Sequence, residues 1–188
     1  MKTKEKTNNL GSRRLLLVWG YICVAVSLLV YVLTKYTHDA RMSIFYALVP
    51  VLGACVQGFV MDRIKTKDVE ANGIAAGIVN RIWGMVGVIF IIATIVCGYF
   101  FIVYHTTTWV ALFILGLLAP GLASTMSGML LKNKWMIFGG FVGIVLGVAM
   151  LCAQLSFSIL QVEWCIAFAI GYVFMMIVPG HKSDFTQL

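Results

Sequence analysis

Long uncharged stretches alternate with short polar segments along the whole chain. An α-helix rises about 1.5 Å per residue, so roughly 20 apolar residues cross the apolar core of a lipid bilayer, which is roughly 30 Å thick. On this criterion we predict six transmembrane spans, at residues 15–33, 44–61, 82–104, 109–131, 135–157 and 158–178. The expected fold class is all-α, an integral membrane bundle.

The last span is the least regular of the six. Its uncharged part, residues 164–178, is too short to cross a bilayer by itself. We therefore expect the helix to begin near Ser158 and to carry Glu163 in its first turns. Pro179 and Gly180 follow directly, and we expect them to end the helix because proline cannot continue one.

Short links join several of the spans. Residues 105–108 connect the third span to the fourth, and residues 132–134 connect the fourth to the fifth. Links of this length place consecutive helices side by side and antiparallel. We expect a single six-helix domain over residues 15–180, preceded by a basic segment at residues 1–14 and followed by a tail at residues 181–188.

Composition and charge favour a lipid bilayer as the partner of this chain and argue against nucleic acid. The chain is 61% hydrophobic and 11% charged, whereas soluble domains average about 25% charged residues. The basic residues behind its net charge of +7 lie in the polar segments between spans. Twelve Lys and Arg residues fall on one predicted side and two on the other, which predicts that both termini lie in the cytoplasm.

Three glycines recur every four residues along the fifth predicted span, at Gly139, Gly143 and Gly147. Positions without a side chain at this spacing lie on one helix face, so another helix can approach at backbone contact. Two interpretations remain open. The glycines form a packing seam inside one bundle, or they form a contact face for a homo-oligomer or a membrane protein partner.

Proline interrupts the second and fourth spans, at Pro50 and Pro120, and we expect each to kink its helix. The sequences that follow, PVLGACVQGFVMDR and PGLASTMSGMLLKN, align without a gap. This alignment suggests that the bundle is built from repeated two-helix hairpins. Chance similarity between glycine-rich apolar sequences is the alternative.

Polar side chains follow both prolines. They are Gln57 in the second span and Ser124, Thr125 and Ser127 in the fourth. Such groups commonly join helices through hydrogen bonds, and this closed arrangement is the one we expect. The alternative is a polar pocket for a small solute, with Glu163 near its mouth.

Short motifs at the ends of the spans carry a family resemblance. They are Trp19-Gly20, Asn80-Arg81-Ile82-Trp83, Ser127-Gly128, Gly139-Gly140 and Val178-Pro179-Gly180-His181. With these motifs the chain resembles an uncharacterised family of small six-helix inner-membrane proteins of Bacteroidota. The resemblance implies the architecture and a bacterial host, and it implies no activity.

The sequence shows no pattern typical of catalysis or cofactor binding. No acidic pair lies at helical spacing within a span, and no two histidines share a span as metal or haem ligands would. We therefore expect no enzyme activity, no cofactor and no metal. Two function classes fit: a non-enzymatic scaffold or regulatory membrane component, which we favour, and a small-solute-binding or transport component.

Overall fold

The computed structural model describes residues 2–37, 45–46, 48–49, 51–52, 55, 74–104, 110–157 and 163–182. All regular structure within these residues is helical. The helices are α1 (Lys2–Thr37), α2 (Ile74–Tyr104), α3 (Val110–Leu130), α4 (Lys134–Phe157), α5 (Trp164–Tyr172) and α6 (Val178–Lys182), and a π-helical turn at Val173–Ile177 joins the last two. The all-helical fold class predicted from the sequence is confirmed.

Candidate membrane spans lie in all the long helices. In the described part of the chain there are five, at Leu16–Thr37, Ile78–Tyr104, Ala111–Leu130, Lys134–Leu155 and Trp164–Lys182. Each is long and apolar enough to cross a membrane, as in a multi-pass membrane protein. Most of the predicted second span, residues 44–61, lies outside the described residues.

The helix boundaries differ from the predicted spans mainly at the polar ends. α3 ends one residue before residue 131, and α4 begins one residue before residue 135. α1 and α2 begin earlier than predicted, at Lys2 and at Ile74. The added part of α1 is largely polar, whereas the added part of α2 is polar only at Asn80 and Arg81. Apolar length marks the membrane-crossing part of a helix, whereas backbone hydrogen bonding carries the helix beyond it.

The end of the last span contradicts the prediction. The helix does not stop at Pro179 and Gly180 but continues through both to Lys182. A proline ring normally clashes with the carbonyl four residues earlier, which here belongs to Met175. Met175 lies in the π-helical turn, whose wider backbone gives the ring of Pro179 room to pass.

The structure describes the last span from residue 163 onward. The described helix begins at Trp164, and Glu163 occupies the turn before it. The expected starting point near Ser158 lies outside the described residues. By continuing to Lys182, the candidate span still reaches 19 residues, which is about 28 Å of helix.

A tight turn joins α3 to α4. Lys132 adopts a positive φ of 51°, which reverses the chain after α3. The side-chain oxygen of Asn133 then accepts hydrogen bonds from the backbone N–H groups of Trp135, at 3.0 Å, and Met136, at 3.3 Å. These bonds cap the start of α4 and fix the hairpin.

α3 and α4 run antiparallel along their whole length. Near the turn Gly128 lies against Ile137, and in the middle of the pair Gly121 lies against Ile144. Along these contacts the residue numbers rise in α4 as they fall in α3, so the two helices point in opposite directions. A methyl group added to Gly121 would lie 3.0 Å from backbone atoms of α4, so the two backbones are in direct contact.

The last helix packs between α1 and α4, antiparallel to both. On the α1 side, Leu17 lies against Gly180 and Gly20 lies against Ile177. On the α4 side, Gly139 meets Met175, and Leu146 lies near Gly171 further from the turn. The beginning of the α1 span and the end of the last span therefore share one end of the bundle.

α2 lies at the edge of the bundle and packs on α3. Phe90 approaches Gly116, and Cys97 shares a small buried cluster with Leu112, so this pair is also antiparallel. Only 11% of the apolar window of α2 is buried. Its broad exposed surface is apolar, as a lipid-facing helix requires.

Candidate functional site

A proline inside α3 leaves one backbone carbonyl without its helical donor. Pro120 has no N–H, so it cannot donate to the carbonyl oxygen of Gly116, four residues earlier. The hydroxyl of Tyr172 in α5 donates a hydrogen bond of 2.8 Å to that oxygen instead, and the bond is buried. The last helix thus satisfies a group that the proline exposes in α3.

The converse arrangement is found at the second proline. Pro179 cannot donate to the carbonyl oxygen of Met175. The hydroxyl of Ser124, on α3, lies 3.4 Å from that oxygen and 3.0 Å from the carbonyl oxygen of Met136 on α4. Since a serine has one hydroxyl proton, it donates to one of the two carbonyls at a time. Each proline-containing helix therefore receives a hydroxyl from the other, and Ser124 also ties in α4.

The neighbouring polar residues of α3 also lie inside the bundle. Thr125 donates to the carbonyl oxygen of Gly121, one turn back in its own helix, at 2.9 Å. Its side chain also lies against Gly140 of α4. Ser127 is fully buried, and its hydroxyl has no hydrogen-bond partner among the described atoms.

The hydroxyl groups of α3 form one polar cluster. A second polar cluster lies nearer the end of the bundle where the last helix begins, and there the short described segment at residues 45–46 reaches the core. The hydroxyl of Tyr46 lies beside Ser27 and Cys165. The hydroxyl of Ser27 donates a hydrogen bond of 2.6 Å to the carbonyl oxygen of Cys23. The Tyr46 hydroxyl is buried, and it has no well-aligned hydrogen bond within the described part of the chain.

Aromatic rings fill the space between the two polar clusters. The ring centre of Tyr46 lies 4.1 Å from that of Phe113 and 5.6 Å from that of Phe168, in edge-to-face arrangements. Phe168 is in turn 4.7 Å from Tyr172. Packing of this kind brings α3, α5 and the segment at residues 45–46 into close contact around a filled core.

The three glycines of the predicted seam face two neighbours within the same chain. Gly139 and Gly143 lie against Met175 and the π-helical turn that contains it. Gly147 lies against Leu118 of α3. A side chain at any of the three positions would overlap atoms already present, so each position requires glycine for the observed packing.

Of the remaining predicted site residues, Glu163 is described, and it does not meet the α3 hydroxyls. Glu163 is exposed at the start of the last helix. Ser124 lies beside the end of that helix which contains Met175, so Glu163 is more than one helical turn away. Gln57 and Pro50 lie outside the described residues.

Two functional groups of this core were missed by the sequence reasoning. They are Tyr172 and Tyr46, which read as ordinary aromatic residues within apolar stretches. The position of Pro179 inside a helix has no local sequence signal, because it depends on the π-helical turn that precedes it.

No metal centre is visible among the described side chains, where no group of three or more His, Cys, Asp or Glu residues comes together. The thiols of Cys23 and Cys165 both border the Tyr46 cluster. Searches against protein-family models, curated proteins and solved structures find no match to this chain. Its function is therefore inferred from its own residues.

Proposed function

We propose that the chain crosses the membrane six times. α3 runs antiparallel to both α2 and α4, and the last helix runs antiparallel to both α1 and α4. It follows that α1 and α2 point in the same direction, with Thr37 and Ile74 at opposite ends of the bundle. The chain between them must return across the membrane, and this interval contains the predicted span at residues 44–61.

The membrane we propose is a bacterial inner membrane, as the family resemblance implies, and the charge distribution supports an orientation with both termini in the cytoplasm. An even number of crossings returns the C-terminus to the side of the N-terminus, in agreement with the contact between Leu17 and Gly180. That end of the bundle carries Arg81, Lys132, Lys134 and Lys182. Lys and Arg prefer the cytoplasmic side.

The biochemical role we propose is that of a non-enzymatic scaffold or regulatory membrane component. The observation that supports this role most directly is that polar side chains of α3 form hydrogen bonds inside the bundle. Ser124 and Thr125 donate hydrogen bonds from their hydroxyl groups to backbone carbonyl oxygens inside the bundle. A transport pathway needs polar groups that face a solute, whereas these hold helices together.

A small-solute-binding or transport role is the second candidate. It is favoured by the buried hydroxyl of Ser127, which has no partner among the described atoms, and by that of Tyr46, which has no well-aligned hydrogen bond there. A buried hydroxyl without a partner is costly, so it is a natural point for a polar solute to bind. In this case the bundle would have to open around one of them.

Cysteine accessibility distinguishes the two roles. Ser124→Cys and Ser127→Cys would be made in a variant whose exposed native thiols, Cys55 and Cys152, are replaced by alanine. Glu163→Cys, at an exposed position, is the control for reagent access. Each protein in sealed vesicles is treated with a membrane-impermeant thiol reagent, and modified peptides are quantified by mass spectrometry.

The closed core predicts rapid modification at position 163 and none at positions 124 and 127 from either side of the membrane. Modification of position 124 or 127 at a rate within about tenfold of position 163 would show a water-filled path to the α3 hydroxyls. That outcome would replace the scaffold role with solute binding.

A further inference from the structure

We propose that the shared end of α1, α4 and α6 binds the headgroup of an anionic phospholipid. The site is a basic–aromatic strip formed by Tyr21, Lys134, Trp135, His181 and Lys182. This inference concerns the lipid around the bundle, so it holds for a scaffold and for a transport component alike.

The strip is held in place by contacts between three helices. The ammonium group of Lys182 lies 4.5 Å from the centre of the Trp135 ring, on its face. The Tyr21 hydroxyl lies 3.0 Å from Nε2 of His181. Gly180 packs directly on Leu17, which fixes residues 181 and 182 relative to α1. The charge of Lys182 is therefore positioned by the fold.

The strip lies at the level where a membrane changes from headgroups to acyl chains. Lys134 begins one candidate span and Lys182 ends another. Trp135 is exposed over 41% of its surface and Tyr21 over 52%. Tryptophan and tyrosine prefer this level because one end of the ring system is apolar and the other is polar.

An apolar surface continues from the strip toward the middle of the membrane. Phe138 lies one helical turn beyond Lys134 and is exposed over 54% of its surface. It meets Phe174 edge to face, with ring centres 6.3 Å apart. A lipid with its phosphate at Lys182 and Lys134 can therefore lay an acyl chain over these two rings. A soluble phosphate ion would use only the charged half of this surface.

The charge of the strip selects an anionic lipid. The cation–π contact partly desolvates the Lys182 ammonium group while leaving its positive charge to interact with a phosphate. Among the side chains that the structure describes, that of Glu163 is the only acidic one. It lies at the other end of the last helix, about 28 Å from Lys182. Basic residues at the membrane surface attract anionic headgroups.

The test measures lipid retention by the full-length protein in native mass spectrometry. The protein is purified in detergent with equal amounts of phosphatidylglycerol and phosphatidylcholine. Lys182→Gln and Lys134→Gln remove charges of the strip. Lys35→Gln is the matched control, because Lys35 lies 5.4 Å over the ring of Tyr31 at the opposite end of α1.

We expect the wild-type protein to retain phosphatidylglycerol in preference to phosphatidylcholine. Lys182→Gln should reduce that preference by about fivefold, Lys134→Gln should also reduce it, and Lys35→Gln should leave it unchanged. Equal retention of both lipids, or an equal loss in Lys35→Gln, would overturn the proposal. Displacement of the lipid by millimolar inorganic phosphate or glycerol phosphate would show a site for free phosphate and would also overturn it.

Discussion

Tyr172 donates its hydroxyl proton to the carbonyl oxygen of Gly116, the carbonyl that Pro120 deprives of its helical partner. Ser124 lies 3.4 Å from the carbonyl oxygen of Met175, to which Pro179 cannot donate. Together the two contacts join α3 to the last helix in both directions. In a membrane, where water cannot satisfy a freed carbonyl, such partners allow proline to remain within a spanning helix.

The role of Ser124 predicts a loss of stability when its hydroxyl is removed. Ser124→Ala leaves the carbonyl oxygens of Met136 and Met175 without this donor, at an expected cost of about 1 kcal/mol. Unfolding of the purified protein by a denaturing detergent measures the change. Thr94→Ala is the control, because Thr94 bonds only one turn back, to Phe90 in α2, at 2.7 Å. A cost no larger than that of the control would mean that Ser124 does not join the helices.

The glycine contacts predict that Gly143→Leu destabilises the bundle. Gly143 lies against the side chain of Met175, which is itself fully buried, so a leucine has to push the last helix away from α4. Overpacking of this kind costs about 1–3 kcal/mol. The measurement is the thermal unfolding midpoint together with the oligomeric state in detergent.

Gly87→Leu is the matched control for that change, because nothing described lies within 4 Å of the position of a Cβ on Gly87 in α2. It should unfold at nearly the wild-type temperature. If Gly143→Leu behaves like Gly87→Leu, the contact between α4 and the last helix does not support the fold.

The direction of the helices predicts an alternating pattern of reporter fusions. Reporters placed after Leu33, Met61, Tyr104, Leu131 and Phe157 should lie outside, inside, outside, inside and outside the cell. Alkaline phosphatase, active outside, and green fluorescent protein, fluorescent inside, provide the paired readout. A cytoplasmic signal after Leu33 would contradict the orientation, and identical signals after Leu33 and Met61 would contradict the sixth crossing.

Apolar run length was enough to predict the all-helical class and the five candidate spans in the described residues. α3 and α4 fall within one residue of the predicted ends because Lys132 and Lys134 interrupt the apolar sequence at the membrane surface. The all-helical class follows from the same feature, since a helix satisfies its own backbone in lipid. The length of an apolar run and the charged residues that bound it are local features, so they can be read directly from the sequence.

The core contacts could not be predicted in the same way, because they depend on which residues meet across helices. Pro179 read as a terminator, and only the π-helical turn around Met175 explains why the helix continues. Tyr172 has no local signal that distinguishes it from a lipid-facing tyrosine. Its partner, Gly116, is 56 residues away in the chain.

The pairing of Tyr172 with the carbonyl exposed by Pro120 is tested most directly by a double-mutant cycle. Pro120→Ala returns an N–H to α3, which can then bond the Gly116 carbonyl within the helix. Tyr172→Phe removes the hydroxyl and keeps the ring. Tyr99→Phe, at an exposed position in α2, controls for loss of a tyrosine hydroxyl.

The free energy of unfolding of the four proteins of the cycle is the deciding measurement. We expect Tyr172→Phe to cost about 1 kcal/mol in the wild-type background and much less in the Pro120→Ala background, where the carbonyl has its helical donor. The same cost in both backgrounds, or no cost in either, would contradict the proposal that hydroxyl groups from neighbouring helices close this core.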